Sequence, residues 1–484
     1  MLTISIHCFS LFELDLEQMS TSVTYTLEQC IDHLGLGRFQ WRFSVVLGFY
    51  MLTEALEMML LSVLGPALQC YWPDVTDVKV ASLTSFVFVG MMIGSFFFGI
   101  MADKYGRRKI IFISAILLAV FGVLTTFAPN YNSILVMRTL VGIALAGGSP
   151  ASTLIIEFLP SSTRALFCVY SQLFWAIGCI YVFTLAMLVM PLYGWRLFTL
   201  LCALPSVIIV LFIYFIPESP RYYVASGQHE KAEDVLKKIA TINNRSLPEG
   251  KLMDVEAESE CGSLKQLFHM EYRKTTILLA YMWFAACFGY YGIILLSTTL
   301  MALSNDKNSS LIQSNITNST KCNMLATNDY IALLFTTFGE IFGIPLLLLF
   351  ISYFNRRTIS IMQYSFGTLC FAMFLLVAQN ELKIINIITF FGRMFLNSQL
   401  TFIYVYTIEV YPTVIRAMAV GCGSAIARTG PIVVPYLAQA LIKTAYYTTI
   451  SIFVVVTGLA ALCAYLLPIE TKGRELKVSC VFRC

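Results

Sequence analysis

Six ionisable side chains lie inside long apolar runs of this sequence: Glu54 and Glu57 in one run, and Arg138, Glu340, Arg393 and Arg428 in four others. A charge at the centre of a bilayer costs ~2.5 to 3.5 kcal/mol on insertion scales, so each such residue needs a partner or a function. Glu54 and Glu57 are three apart and share one face of a helix. Two carboxylates so close disfavour simultaneous ionisation, and burial disfavours it further. A pair of this kind can hold a cation, or exchange a proton as its access changes sides. The three carboxylates and three guanidiniums also balance, which permits a purely structural account. In that account one carboxylate of the pair rests on Arg138, the other takes a neutral donor, and Arg428 holds Glu340. Gln172 and Trp175 in one further run, with Trp283, Tyr290 and Tyr291 in another, are candidate cavity walls able to stack on an organic ligand or hold a cation. Packing or interfacial anchoring is the alternative for each aromatic taken singly.

Positioning these groups falls to the apolar runs themselves. They lie near 44–66, 80–102, 109–127, 133–156, 165–190 and 196–216, then near 275–300, 329–352, 357–378, 383–406, 413–438 and 445–467. Hydrophobic residues make up 58% of the 484, and charged residues only 12%, about half the ~25% of a soluble domain. Mean hydropathy is +0.76. At ~20 residues per span, the chain reads as an all-α membrane protein of twelve transmembrane helices in two six-helix bundles. The expected division is an N-terminal segment 1–43, a first bundle 44–216, a linker 217–274, a second bundle 275–467 and a tail 468–484. Thr24 to Gly37 reads as a short amphipathic helix ahead of the first span. Leu2 to Phe12 lacks the flanks of a signal peptide, and Met19 is an alternative start.

The connections carry the orientation. With both termini cytoplasmic, 23 of the 32 Lys and Arg fall in or beside cytoplasmic segments, which satisfies the positive-inside rule. The turn Gly99-Ile-Met-Ala-Asp103-Lys104-Tyr105-Gly106-Arg107-Arg108 joins the second and third runs. Gly99 and Asp103 share a face, so a neighbouring helix can approach at the glycine while the arginines pair with Asp103 or with carboxylates nearby. The halves echo each other: Glu157-Phe-Leu-Pro160 to Arg164 returns as Glu409-Val-Tyr-Pro412 to Arg416, an offset of 252. Arg138 and Arg393, Arg107-Arg108 and Arg356-Arg357, and Pro217 and Pro468 align similarly, as expected for a parallel repeat about a central cavity. The second copy is unequal, with Leu348 and Ser352 where the first has Gly99 and Asp103. Gly99, Asp103, Gly106, Arg107, Arg108, Glu157, Arg164, Glu409 and Arg416 are therefore the candidate cytoplasmic gate, and the first copy is expected to carry the greater load.

Asn308, Asn315 and Asn318 begin three glycosylation sequons in the loop after the seventh run, placed outside by the charge bias. Asn244 matches the same pattern in the cytoplasmic linker. Cys70 and Cys322 fall on the outer side, where they are candidates to bridge. The fourteen cysteines include no Cys-x-x-Cys pair, and the four histidines lie outside the runs, so neither a metal site nor a cofactor is indicated. A P-loop, a nucleotide-binding domain and a Gly-x-Ser-x-Gly elbow are all missing, which argues against an enzyme and against ATP-driven transport. No nucleic-acid partner follows from a net charge of +4.

Gly-x-x-x-Asp-Lys-x-Gly-Arg-Arg resembles the signature between the second and third helices of the major facilitator superfamily, where it latches the cytoplasmic side of the outward-open state. Pro217-Glu-Ser-Pro-Arg-Tyr222 and Pro468-Ile-Glu-Thr-Lys-Gly-Arg474 are similar to its sugar-porter and organic-ion branches. Thr24 to Phe39 and Thr53-Glu-Ala-Leu-Glu-Met58 resemble the synaptic vesicle glycoprotein-related group, most closely its SVOP-like branch. The resemblance implies a monomeric secondary transporter working by alternating access, proton-coupled through Glu54 or Glu57, in a vesicle or plasma membrane. It leaves open a transporter-shaped receptor or scaffold that moves nothing. Substrate identity and direction do not follow from it.

Overall fold

In the computed structural model, residues 24–252, 264–312, 325–377 and 381–472 are described. Among them, ten helices are long and apolar enough to cross a membrane. Two more spans complete twelve. The helix Arg164–Tyr214 is broken at Gly194, where φ is +75°, and so provides the fifth and sixth spans. The buried Arg393 and the polar run Asn397-Ser398-Gln399 lower the hydropathy of Leu382–Val410, which is the tenth. The others run Arg38–Tyr71, Asp77–Tyr105, Arg107–Thr126 and Tyr131–Phe158 before that helix. After it come Arg273–Ile312, Thr327–Tyr353, Arg356–Leu376, Met418–Thr444 and Tyr446–Leu466. Lipid offers no hydrogen bonds, so helices that satisfy their own backbone are the expected solution.

Small residues set how closely these helices approach. A Cβ on Gly90 of the second span would lie 2.3 Å from the carbonyl oxygen of Thr139, and one on Gly142 of the fourth would lie 2.1 Å from that of Val87. The two backbones therefore touch, and Ala at either position would force them apart. Spans one to six pack chiefly on one another, as do spans seven to twelve. The two sets meet where the fifth span lies along the eighth, the second against the eleventh, and the first against the seventh.

One end of the bundle carries the linker and the N-terminal helix Leu27–Leu34, and is called here the linker side. Thr26 caps that helix in a box with Gln29. Its apolar face, Leu27, Cys30, Ile31 and Leu34, packs on Val235, Leu236, Ile239 and Ala240 of the linker helix His229–Asn243. A two-residue parallel pairing of Thr24–Tyr25 with Lys251–Leu252 closes this cap. Asn244 ends the linker helix in the left-handed conformation, φ +54°, so this sequon residue serves as a C-cap.

Candidate functional site

Four of the six intramembrane charges are consumed within their own half. Arg138 donates through Nη1 to Glu57 Oε2 at 2.5 Å, with both side chains at most 1% exposed. Arg393 donates to Glu340 Oε1 through Nε at 2.9 Å and Nη2 at 2.5 Å, and is equally buried. Each pair joins two neighbouring spans, one to four and eight to ten. Such a pair roughly recovers its desolvation, but either partner alone would be a stranded charge. Glu340 has further donors: Tyr290 gives it a hydroxyl at 3.1 Å, Trp175 Nε1 reaches that hydroxyl at 2.8 Å, and Cys179 lies 3.7 Å from Oε2. Trp175 and Cys179 belong to the fifth span, so the second pair also ties the halves together.

Glu54 and Arg428 are different. Neither has an ion-pair partner within 4 Å among the described residues. Arg428 donates to Ser424 on its own helix, to Oγ at 3.1 Å. Glu54 packs against the break in the fourth span, where a Cβ on Gly148 would lie 2.3 Å from Oε2. Among the described residues, Arg428 is the charged group whose field acts on Glu54, and Tyr291 and Tyr404 lie within the field of both. Both side chains are half-buried. The structural account that gave Arg428 to Glu340 is therefore not realised, because Arg393 occupies that carboxylate.

The linker-side ends carry two copies of one clamp. Arg107 pairs with Glu157, and Arg356 with Glu409 at 3.1 Å. Glu218 accepts from the backbone N–H groups of Arg107 at 2.9 Å and Arg108 at 3.1 Å, and Glu470 accepts from those of Arg356 at 2.8 Å and Arg357 at 3.1 Å. Each carboxylate thus caps the N-terminus of a span and favours its dipole. Ser219 then donates to Glu157, and Thr471 to Glu409. The second copy is more complete than the loss of Asp103 and Gly99 suggests, since its glutamates remain beside the arginines. In the first copy, Asp103 is 80% exposed and among the described residues reaches only Arg107, at 3.9 Å, while no described atom lies within 4 Å of a Cβ built on Gly99. The helix approach expected at Gly99 is not made in this conformation.

Glu28 of the N-terminal helix meets Arg164 at 2.8 Å and Arg221 at 3.7 Å. Arg416, from the other half, lies in the field of both Arg164 and Glu28. Burial first, then the like charge of Arg164, lower the proton affinity of Arg221 and Arg416, with Glu28 opposing.

At the far side the halves are closed on each other. Lys443 of the eleventh span donates to Asp77 of the second at 2.5 Å, and Gln69 donates to the same oxygen at 2.7 Å. Ser82 bonds Tyr436 at 3.2 Å, and Ser85 donates to the carbonyl of Ile432 at 2.8 Å. The cavity among Ser62, Gln69, Thr298, Thr299 and Gln439 is only about 80 Å³.

Sequence reasoning missed Glu28, Asp77, Glu218, Lys443 and Glu470. The Pro-Glu-Ser-Pro and Pro-Ile-Glu-Thr echo was the available signal for Glu218 and Glu470; the others had none, because each depends on a neighbour distant in sequence. Trp283 is corrected: it is 1% exposed, its Nε1 donates to Thr407 and its ring meets Tyr404 edge-on, so it supports the cavity without lining it. Tyr290 is likewise fully buried on Glu340, whereas Gln172, Trp175 and Tyr291 are half-buried. Cys70 is disulfide-bonded, and every other described cysteine is free; Cys322 lies outside the described residues. So do Asn315, Asn318 and the side chain of Asn308.

Comparisons with known proteins agree on one fold. A family profile described as sugar (and other) transporter matches residues 33–481. The synaptic vesicle 2-related protein of Xenopus laevis is 38% identical over 95% of this chain and 83% of its own length. SVOPL of Homo sapiens is 33% identical over 95% and 94%. Among solved structures, the xylose transporter XylE of E. coli matches in its partially occluded inward-open form with a TM-score of 0.69 at 16% identity, covering 90% of this chain and all of that one. Its inward-open form matches with a TM-score of 0.65 at 15% identity, covering 90% and 98%.

Proposed function

Because this chain belongs to the sugar (and other) transporter family of the major facilitator superfamily, we propose that it moves a small organic ion by alternating access, with Glu54 coupling the movement to protons. The observation that carries the reading is the separation of the intramembrane charges. Two pairs are locked inside single halves, while Glu54 and Arg428, on opposite halves and within each other's field, form no ion pair within 4 Å among the described residues. A carboxylate placed between rocking halves changes its access with each swing, which is what proton coupling requires. Glu57, wholly buried on Arg138, serves instead to fix the first span.

The conformation fits one stage of such a cycle. The far side is held by Asp77, Lys443, Ser82 and Ser85, and the Gly99/Asp103 face on the linker side is disengaged. In the opposite stage that face closes against the eleventh span, and the Asp77–Lys443 contact parts. The Lys and Arg bias makes the linker side cytoplasmic, so this stage faces inward. Asn308, Asn315 and Asn318 are then outside and open to glycosylation.

Uptake into liposomes of pooled organic cations, anions, zwitterions and sugars, with and without a proton gradient, tests the reading. Gradient-driven uptake is expected in the parent protein and lost in Glu54→Gln, which retains its fold. Absence of uptake from every pool, in protein that elutes as a single folded species, would move the assignment to a receptor or scaffold.

A further inference from the structure

The charges left unspent at the midplane define what the site can accept. Glu54 comes from the first span and Arg428 from the eleventh, so one negative and one positive group stand on the two halves, within each other's field. Neither is held by a charged partner within 4 Å among the described residues. Arg428 has only the neutral Ser424 for its Nη1, and Glu54 makes no side-chain hydrogen bond among the described residues. The remaining guanidiniums and carboxylates of the interior cannot be recruited, because each is already held at 2.5 Å by a partner. Tyr404, 38% exposed, and the half-buried Tyr291 lie within the field of both charges, with Trp283 bracing Tyr404 edge-on.

A neutral polyol would leave both charges uncompensated when the halves close over it. A simple cation would satisfy Glu54 but be repelled by Arg428, and a simple anion the reverse. Only a molecule carrying both signs completes the two half-sites at once, and its binding would draw the halves together.

We infer that the central site takes a zwitterionic organic molecule, an aromatic amino acid in its simplest form, with its ammonium on Glu54, its carboxylate on Arg428 and its ring on Tyr291 and Tyr404. The inference deepens the transport reading and rests on it for the site. A proton on Glu54 and an ammonium on Glu54 exclude each other, so substrate and proton occupy the carboxylate in turn.

The test uses three probes sharing one ring: L-tyrosine, tyramine and 3-(4-hydroxyphenyl)propionate. Binding to the purified full chain is measured by radioligand capture, and counterflow is measured separately in liposomes. The parent protein is expected to bind tyrosine at least tenfold more tightly than either single-charge probe. Glu54→Gln is expected to reverse the order toward the propionate, and Arg428→Gln toward tyramine. Each variant is checked for an unchanged elution profile, and Arg428→Lys is expected to restore the parent ranking in part. Equal binding of tyramine or propionate by the parent, rankings untouched by both substitutions, or no binding of any probe to folded protein would each overturn the inference. Tyrosine binding without counterflow would uphold the zwitterion site and sink transport; counterflow of a single-charge probe alone would do the opposite.

Discussion

The two halves carry the same clamp at their linker-side ends and the same arginine at the midplane, yet they use them differently. In the first half Arg138 meets Glu57 on a neighbouring span, and that contact stays within spans one and four. In the second half Arg393 meets Glu340, which also receives Tyr290 and Cys179, and through Tyr290 the Trp175 indole. Arg138 therefore stabilises one bundle, whereas Arg393 stabilises a bundle and its seam with the other. The repeat supplied equal parts, and the partner residues made one of them an anchor for the fifth span.

Removing either arginine is the harshest way to probe that contrast. Arg138→Leu and Arg393→Leu each strand a buried carboxylate, which costs about 3–5 kcal/mol. Both should lower the apparent melting temperature of the purified protein by many degrees. Deleting the partner as well, in Glu57→Leu/Arg138→Leu, should recover most of the loss, because that pair serves one bundle. Glu340→Leu/Arg393→Leu should recover less, since Tyr290 and Cys179 then lose their acceptor, and with it goes the Cys179 contact that joins the halves. Equal recovery in the two double variants would mean that the seam contact adds nothing.

The legibility of these features in the sequence follows the range of the interaction. All twelve spans could be read, because lipid imposes a local requirement of about twenty apolar residues on each. The fifth and sixth appear as one helix, but Gly194 breaks it at the place where the apolar run pauses. The sequence also showed which charges are intramembrane, and offered Arg138 as a partner for one of Glu54 and Glu57. It could not choose between them, since three residues on a helix share a face but differ by most of a turn in depth. Arg393 went without a partner for the same reason: contact between the eighth and tenth spans depends on how helices are arranged around the bundle. Trp283 shows the converse, as an aromatic that composition marks for a cavity is buried by Thr407 and Tyr404 from a span over a hundred residues away.

A smaller effect separates the two copies of the latch. Gly106 has φ +99°, and a Cβ there would meet Glu218 Oε2 at 2.3 Å, whereas Asn355 in the second copy has an ordinary φ of −71°. The first copy thus has a glycine turn, Asp103 and an open Gly99 face, while the second has Ser352 and Leu348. Asp103 contributes only an exposed pair with Arg107 in the present conformation, worth about 0.3–0.5 kcal/mol. Asp103→Ala should therefore leave the melting temperature nearly unchanged, yet favour the linker-open form about fivefold, as loss of ~1 kcal/mol from the opposite state would do. Maleimide labelling of a cysteine at the exposed position 421 reads this as faster modification. Adding Ser352→Asp should not restore the parent rate, because Leu348 blocks the helix approach that Gly99 permits. Full restoration would make the two copies interchangeable and refute the unequal load.

The smallest expected effect concerns a carboxylate that belongs to neither copy. Glu28 reaches the clamp from the N-terminal helix, and it is the anion set among Arg164, Arg221 and Arg416. Arg164 and Arg416 occupy equivalent places in the two halves, so closing the linker side brings like charges together, and Glu28 offsets the repulsion. It is 52% exposed, which limits its contribution to about 0.5–1 kcal/mol. Glu28→Gln should accordingly raise labelling at position 421 by two- to fivefold at low ionic strength. The same comparison near 1 M salt, where the screening length falls to about 3 Å, should show almost no difference. An effect that survives high salt would point to displacement of the N-terminal helix from the linker helix rather than to its charge. No effect at low salt would leave the repulsion between the halves to be balanced elsewhere, and the N-terminal helix would then be a cap on the linker with no part in the gate.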